Sequence, residues 1–161
     1  MTISIGERVP ATTLHHMTAD GPKAISTDEV FAGKKVVVFG LPGAYTPTCS
    51  ARHVPSFLDH AEQLAAKGVD TVACVSVNDA FVMDAWGKDL GVGDKILMLA
   101  DGSGEFTKAL GLTQDLSARG LGIRSQRYAM IVEDGIVKSL DVETGPGQME
   151  VSGADSVLAK L

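Results

Sequence analysis

The chain reads as an α/β protein built on a central mixed β-sheet with helices on both faces. Three observations predict this. Apolar, β-branched runs of strand length alternate with segments of helical periodicity in the order strand–helix–strand–helix–strand. A later pair of apolar runs meets at Asp134-Gly135, a dipeptide suited to a type I′ hairpin turn. A last amphipathic segment then closes the chain, and this order implies a sheet covered on both sides.

The first strand is KKVVVFGL, Lys34 to Leu41, bounded by Gly33 and Pro42. After a turn rich in proline and threonine, Val54, Phe57, Leu58, Ala61, Leu64 and Ala65 recur with helical spacing, and Gly68 supplies a stop. Pro55 lies early in that helix and is placed to kink it. VDTVACVSV, Val69 to Val77, is the second strand, and Asn78 and Asp79 can cap a helix running to about Leu90. KILMLAD, Lys95 to Asp101, is the third, followed by a short helix that Ser103 could cap. RYAMIVEDGIVKSLDV, Arg127 to Val142, is the hairpin, and Ser152 with Asp155 offers a capping-box start for SGADSVLAKL. The order fits a thioredoxin-like arrangement, although periodicity alone also admits other α/β sandwiches.

The length of 161 residues suits a single domain, 1–161, and neither repeats nor linkers divide it. The net charge of −6 argues against duplex nucleic acid or an anionic membrane as the main partner, because both demand a basic footprint. The N-terminus lacks the basic start and apolar core of a signal peptide, and the longest clear apolar run is Val36 to Leu41. A cytoplasmic protein is expected. In that compartment Cys49 and Cys74, the two cysteines, read as reduced thiols. His15-His16 lies without acidic or thiol neighbours, so no metal site is expected.

Cys49 sits in the stretch FGLPGAYTPTCSARHVP, residues 39 to 55, between a strand and a helix. Ligands and reactive groups collect where strands of an α/β sheet end. A helix N-terminus carries free N–H donors and partial positive charge, and so favours an anion such as a thiolate. Thr46 offers a hydroxyl to a small polar substrate over the sulfur. Pro42 and Pro47 stiffen the loop, and Gly43 permits a sharp change of direction. Such a narrow pocket suits a small electrophile.

Pro42-Gly-Ala-Tyr-Thr46-Pro-Thr-Cys49 resembles the peroxiredoxin signature P-x-x-x-T-x-x-C at every defined position, and the longer string resembles the type II, peroxiredoxin-five-like branch. Further similarity lies in Lys67 to Gly87 and Arg127 to Glu143, so the resemblance covers nearly the whole chain. It implies a thiol-dependent peroxidase that reduces hydrogen peroxide and small alkyl hydroperoxides. Cys49 would be the peroxidatic thiolate, Thr46 would hydrogen-bond the peroxide, and Pro42 would shield the sulfenic acid. Arg127 would stabilise thiolate and leaving oxygen. No metal, haem or flavin is implied, and a homodimer is.

The residues by themselves do not separate Arg124 from Arg127; only the similarity of RYAMIVEDG selects the latter. His53, four residues after Cys49, reads as an exposed helix histidine in preference to a partner of the thiolate. Trp86 and Phe81 read as core or interface. Cys74 lies about three residues inside its strand, roughly 10 Å below the edge at ~3.3 Å per residue. A disulfide needs Cα atoms about 4.4–6.8 Å apart, so Cys74 reads as a core thiol. Some members of the branch carry a resolving cysteine in the C-terminal segment, where GQMEVSGAD has Val151. Regeneration by an external donor (glutaredoxin with glutathione, or thioredoxin) is therefore expected. The alternative is a non-enzymatic sensor or relay through Cys49. A thioredoxin-type disulfide reductase fits less well, because no C-x-x-C pair is present.

Overall fold

The computed structural model describes residues 1–161. Nine strands and six helices form: β1 Thr13–Thr18, β2 Gly21–Ser26, α1 Thr27–Phe31, β3 Lys35–Gly40, α2 Val54–Asp59, α3 Ala61–Ala66, β4 Thr71–Ser76 and α4 Ala80–Leu90. They continue as β5 Leu97–Ala100, α5 Glu105–Leu110, β6 Thr113–Asp115, β7 Ile123–Ser125, β8 Tyr128–Glu133, β9 Ile136–Val142 and α6 Ala154–Leu158. Seven strands make one mixed sheet in the order β2-β1-β5-β4-β3-β8-β9, while β6 and β7 pair separately. β3, β4 and β5 are mutually parallel, and β8 joins β3 antiparallel.

The alternation of side chains along β3 explains why helices cover both faces. Val37 and Phe39 point into a core with Phe57, Leu64, Met83, Trp86 and Val157, drawn from α2, α3, α4 and α6. Val36 and Val38 point into a second core with Val30, Phe31, Phe106 and Leu110, drawn from α1 and α5. All four strand residues are fully buried, each contributing about 1.5–3 kcal/mol of transfer free energy. The thioredoxin-like sheet anticipated from the element order is the one found.

Local signals decide some turns and helix ends and not others. Asp79 caps α4 by accepting from the Val82 N–H, and Asp134 and Gly135 both adopt the positive φ that a type I′ turn needs. Ser103 does not cap α5. The buried Asp101 carboxylate does so instead, accepting from the Phe106 and Thr107 N–H groups and the Thr107 hydroxyl. Ser152 and Asp155 form no capping box either: Ser152 donates to Glu143, Asp155 meets His60, and the Ser56 hydroxyl accepts from the Ala154 N–H. At α5 the residue two positions upstream takes the role of Ser103, whereas at α6 the partners come from elsewhere in the chain.

One close approach in the centre of the sheet fixes a glycine. The Tyr128 ring on β8 lies directly across from Gly40 on β3, where a Cβ would stand 2.1 Å from Tyr128 Cε1. Tyr128 is fully buried, so its ring has no free direction in which to retreat. Gly40→Ala is expected to destabilise the protein by about 2 kcal/mol or more through overpacking, measured by denaturant unfolding. An unfolding midpoint equal to the wild type's would refute that account.

Candidate active site

Strand β3 ends at Gly40, and the chain turns through Pro42 to Thr46 before entering a helical segment at Pro47. Proline suits a first helical position because its missing N–H would lack an intrahelical acceptor there. Tyr45 takes a positive φ of 63°, and its hydroxyl donates to Asp89 at 2.6 Å. Residues Cys49–His53 form a π turn, in which the Val54 N–H reaches the Cys49 carbonyl. Pro55 accounts for this widening. It has no N–H to donate, and in a regular α-turn its ring would press on the carbonyl of Ala51. The expected kink is thus a π turn one step upstream of the proline. A second break follows at His60, whose Nδ1 lies 2.7 Å from the Ser56 carbonyl oxygen.

Cys49 is fully buried on this turn. Arg127, which immediately precedes β8, donates from Nη2 to Cys49 Sγ at 3.1 Å. The same guanidinium donates from Nε and Nη2 to the Pro146 carbonyl, at 3.1 and 2.8 Å, and from Nη1 to His53 Nδ1 at 2.9 Å. Arginine offers only donors, so His53 Nδ1 must be the acceptor. The ring proton then sits on Nε2 and is donated to the Ser152 carbonyl at 2.9 Å. A buried cation thus faces the sulfur, with a carbonyl and a neutral imidazole holding it.

The other expected site residues gather on the same loop in different roles. The Thr46 hydroxyl donates to the Gly43 carbonyl at 2.7 Å, and the Thr46 carbonyl accepts from the Ser50 N–H. The Pro42 carbonyl accepts from Arg124 Nη1 at 3.2 Å, while Arg124 Nε bonds Leu121. Arg124 therefore braces the loop and Arg127 meets the sulfur. A Cβ on Gly43 would come within 2.5 Å of Arg124 Nη1, so the lack of a side chain at Gly43 admits this brace.

His53 corrects the sequence reading. It is fully buried, with its ring 4.9 Å from that of Phe39 and 5.7 Å from that of Phe57. Burial costs it little because both ring nitrogens are bonded. Trp86 fills the core and donates from Nε1 to the Ser50 hydroxyl at 3.0 Å, whereas Phe81 is exposed. Cys74 lies within β4, in register with Phe39 and Met98, and is not disulfide-bonded. Burial pushes its thiol well up, and neighbouring Cys49 adds to the rise. Sequence reasoning missed Pro146, Glu143 and the Ser152 carbonyl. Their contributions are backbone positions and loop closure, which residue spacing does not encode.

A thiol on a helical turn after β3, met by the buried guanidinium of the residue that precedes β8, makes this a candidate cysteine-based redox site on a thioredoxin-like scaffold. The Redoxin family profile matches residues 4–158. Peroxiredoxin-2B of Arabidopsis thaliana is 48% identical over 160 residues, covering 99% of this chain and 98% of its own. Chloroplastic peroxiredoxin-2E of the same plant is 47% identical, covering 99% and 70% respectively. The structure of reduced Prx3 from Vibrio vulnificus in complex with hydrogen peroxide superposes with a TM-score of 0.94 at 52% identity, covering 99% of each chain. The chain belongs to the Redoxin family as a type II peroxiredoxin, a class of thiol-dependent peroxidases.

No helix is long and apolar enough to cross a membrane. Burial lowers the His53 pKa to about 3, and the Arg127 charge acts in the same direction. An unfolded chain binds this proton near the ordinary value of about 6.5. The neutral ring therefore supports the fold fully above pH 6.5, and that support is lost as pH falls from there toward 3. The slope attributable to His53 is at most about 1.4 kcal/mol per pH unit. His53→Gln is expected to flatten the stability profile between pH 7 and pH 4, measured by urea unfolding at each pH. An unchanged slope would mean that His53 is not the group responsible.

Proposed function

We propose that residues 1–161 act as one catalytic domain in which Cys49 is the peroxidatic thiolate and Arg127 the cation that stabilises both it and the departing oxygen. The observation that carries this reading is the 3.1 Å hydrogen bond from Arg127 Nη2 to Cys49 Sγ in a buried setting. The sulfur attacks the terminal oxygen of a hydroperoxide. An S–O bond forms, the O–O bond breaks, and the sulfur loses two electrons. The leaving alkoxide or hydroxide takes up a proton, and the sulfur becomes a sulfenic acid. Charge developing on that oxygen is met by a fixed guanidinium, and such preorganised donors commonly supply the largest part of a rate enhancement.

Thr46 and Pro42 shape the same pocket. The Thr46 hydroxyl proton is already given to Gly43, so its oxygen meets the peroxide as an acceptor. Pro42 shields the sulfenic acid with its ring, on a loop held by Arg124. The substrates are hydrogen peroxide and small alkyl hydroperoxides. An external thiol, from glutaredoxin with glutathione or from thioredoxin, attacks the sulfenic sulfur, releases water and leaves a mixed disulfide. A second thiol then clears that disulfide. Cys74 does not serve as the resolver, since it lies within β4 rather than at the mouth of the site. Exposed Tyr45 and Phe81 favour a homodimer, and the cytoplasm is the proposed compartment of action.

Steady-state peroxide consumption tests the assignment. Wild type is expected to turn over with one of the two donor systems, Cys49→Ser to lose turnover while remaining folded, and Cys74→Ser to keep it within about twofold. Turnover by Cys49→Ser would sink the reading. A single stoichiometric oxidation of wild type with either donor would instead indicate a sensor.

The two arginines are separable. Arg127→Ala is expected to slow the second-order reaction with peroxide by about 100-fold or more, as loss of an oxyanion donor does elsewhere. Arg124→Ala acts only through the loop and is expected to cost less. The reverse order in stopped-flow measurements would move the cationic role to Arg124.

A further inference from the structure

The guanidinium that faces Cys49 is itself held by a strap, residues 143–152, that leaves β9 and returns to α6. Two backbone carbonyls of this strap carry the contacts: Pro146 accepts twice from Arg127, and Ser152 accepts from His53 Nε2. Neither carbonyl belongs to a strand or helix, so neither is positioned by a regular ladder. The strap also reaches the peroxidatic turn, since its Gly147 carbonyl accepts from the Thr48 hydroxyl at 3.1 Å.

What closes the strap is one carboxylate. Glu143 Oε2 accepts from the N–H groups of Glu150, Val151 and Ser152, at 2.9, 2.8 and 2.8 Å, and from the Ser152 hydroxyl at 2.6 Å. The Glu143 N–H donates to the Arg127 carbonyl at 2.8 Å, so the same residue is tied to the backbone of the arginine it serves. Glu143 is buried, with 8% of its surface exposed. Burial pushes the carboxyl up, but the bonds from Ser152, Glu150 and Val151 outweigh it and leave the group below its ordinary range. Charge-assisted bonds of this kind are roughly twice as strong as neutral ones.

We propose that Glu143 is a positioning residue for the peroxidase reaction: by gathering the far end of the strap it fixes the Pro146 and Ser152 carbonyls, and through them the aim of Arg127 and His53 at Cys49. Glu143 touches neither sulfur nor substrate. The inference rests on the reading of Cys49 and Arg127 given above. It differs from a purely stabilising role in one respect, because its effect on peroxide chemistry must pass through the guanidinium.

A double-mutant cycle tests this in the intact chain, with Glu143→Ala, Arg127→Ala and the pair, each under conditions where it is folded. The readout is the second-order rate constant for hydrogen peroxide, followed by fluorescence of Trp86, the single tryptophan, which contacts Ser50 beside Cys49. Glu143→Ala is expected to lower the constant by about 10-fold to 100-fold, the scale of a small misplacement of a reacting group. In the Arg127→Ala background the same change is expected to alter it by less than about twofold. Glu143→Gln, whose amide oxygen keeps an acceptor of the same reach for two of these donors, is expected to restore part of the rate. An unaltered rate in Glu143→Ala, or an equal loss in both backgrounds, overturns the proposal. If Arg127→Ala alone reacts as fast as wild type, the underlying reading fails and the proposal falls with it. Should Glu143→Ala not fold, Glu143→Asp keeps the charge, shortens the reach, and carries the same cycle with the same expectations.

Discussion

A guanidinium taken out of water must be almost wholly hydrogen-bonded, and much around Cys49 follows from that constraint. Arg127 is 2% exposed, and an unpaired buried charge costs several kcal/mol. Its hydrogen bonds run to the Pro146 carbonyl, His53 Nδ1 and Cys49 Sγ, none of them a carboxylate. A carboxylate in that place would neutralise the cation and withdraw it from the sulfur. Carbonyl and imidazole acceptors satisfy geometry and leave the charge available. A lysine could not substitute, because its compact ammonium lacks the planar fork that meets three acceptors in fixed directions.

Each acceptor then imposes a demand of its own. His53 must stay neutral to offer Nδ1, and burial beside Arg127 ensures that it does. Its Nε2–H in turn needs the Ser152 carbonyl, so the histidine couples the turn that carries Cys49 to the strap. The π turn belongs to the same chain of causes. Pro55 denies the helix a regular hydrogen bond, and the widened turn carries both Cys49 and His53. A proline that interrupts a helix is in this way part of how the site is assembled.

These dependencies set what the sequence could reveal. The strand–helix order, the hairpin at Asp134-Gly135 and the cap at Asp79 are local rules, and they were legible. The N-terminal hairpin of β1 and β2 was not legible from apolar runs, although its turn at Ala19-Asp20 is followed at once by Gly21, and Ser26 with Glu29 forms a capping box for α1. Cys49, Thr46 and Pro42 lie within eight residues and share one motif, so their placement on one loop was readable. Arg127 was selected by similarity rather than by physics, since an arginine's burial depends on acceptors far away in the chain. His53 was misread for the same reason. Its partners are Arg127 and Ser152, and helical spacing carries no information about either.

The two cysteines show how little the residue type decides. Both are fully buried in the same core cluster, and both are free thiols. Cys74 lies inside a parallel strand whose neighbours in register are Phe39 and Met98, and burial there drives its thiol toward the neutral form. Cys49 lies where the backbone has left the sheet, on a turn whose outer side a cation can reach. A sheet interior offers a side chain its pleat neighbours and the apolar face of a covering helix, whereas a strand-to-helix turn faces whatever the next strand's end presents. Here the start of β8 presents Arg127. Which thiol meets a cation is thus assigned by topology, through which strand end lies opposite which turn, and not by the thiol itself.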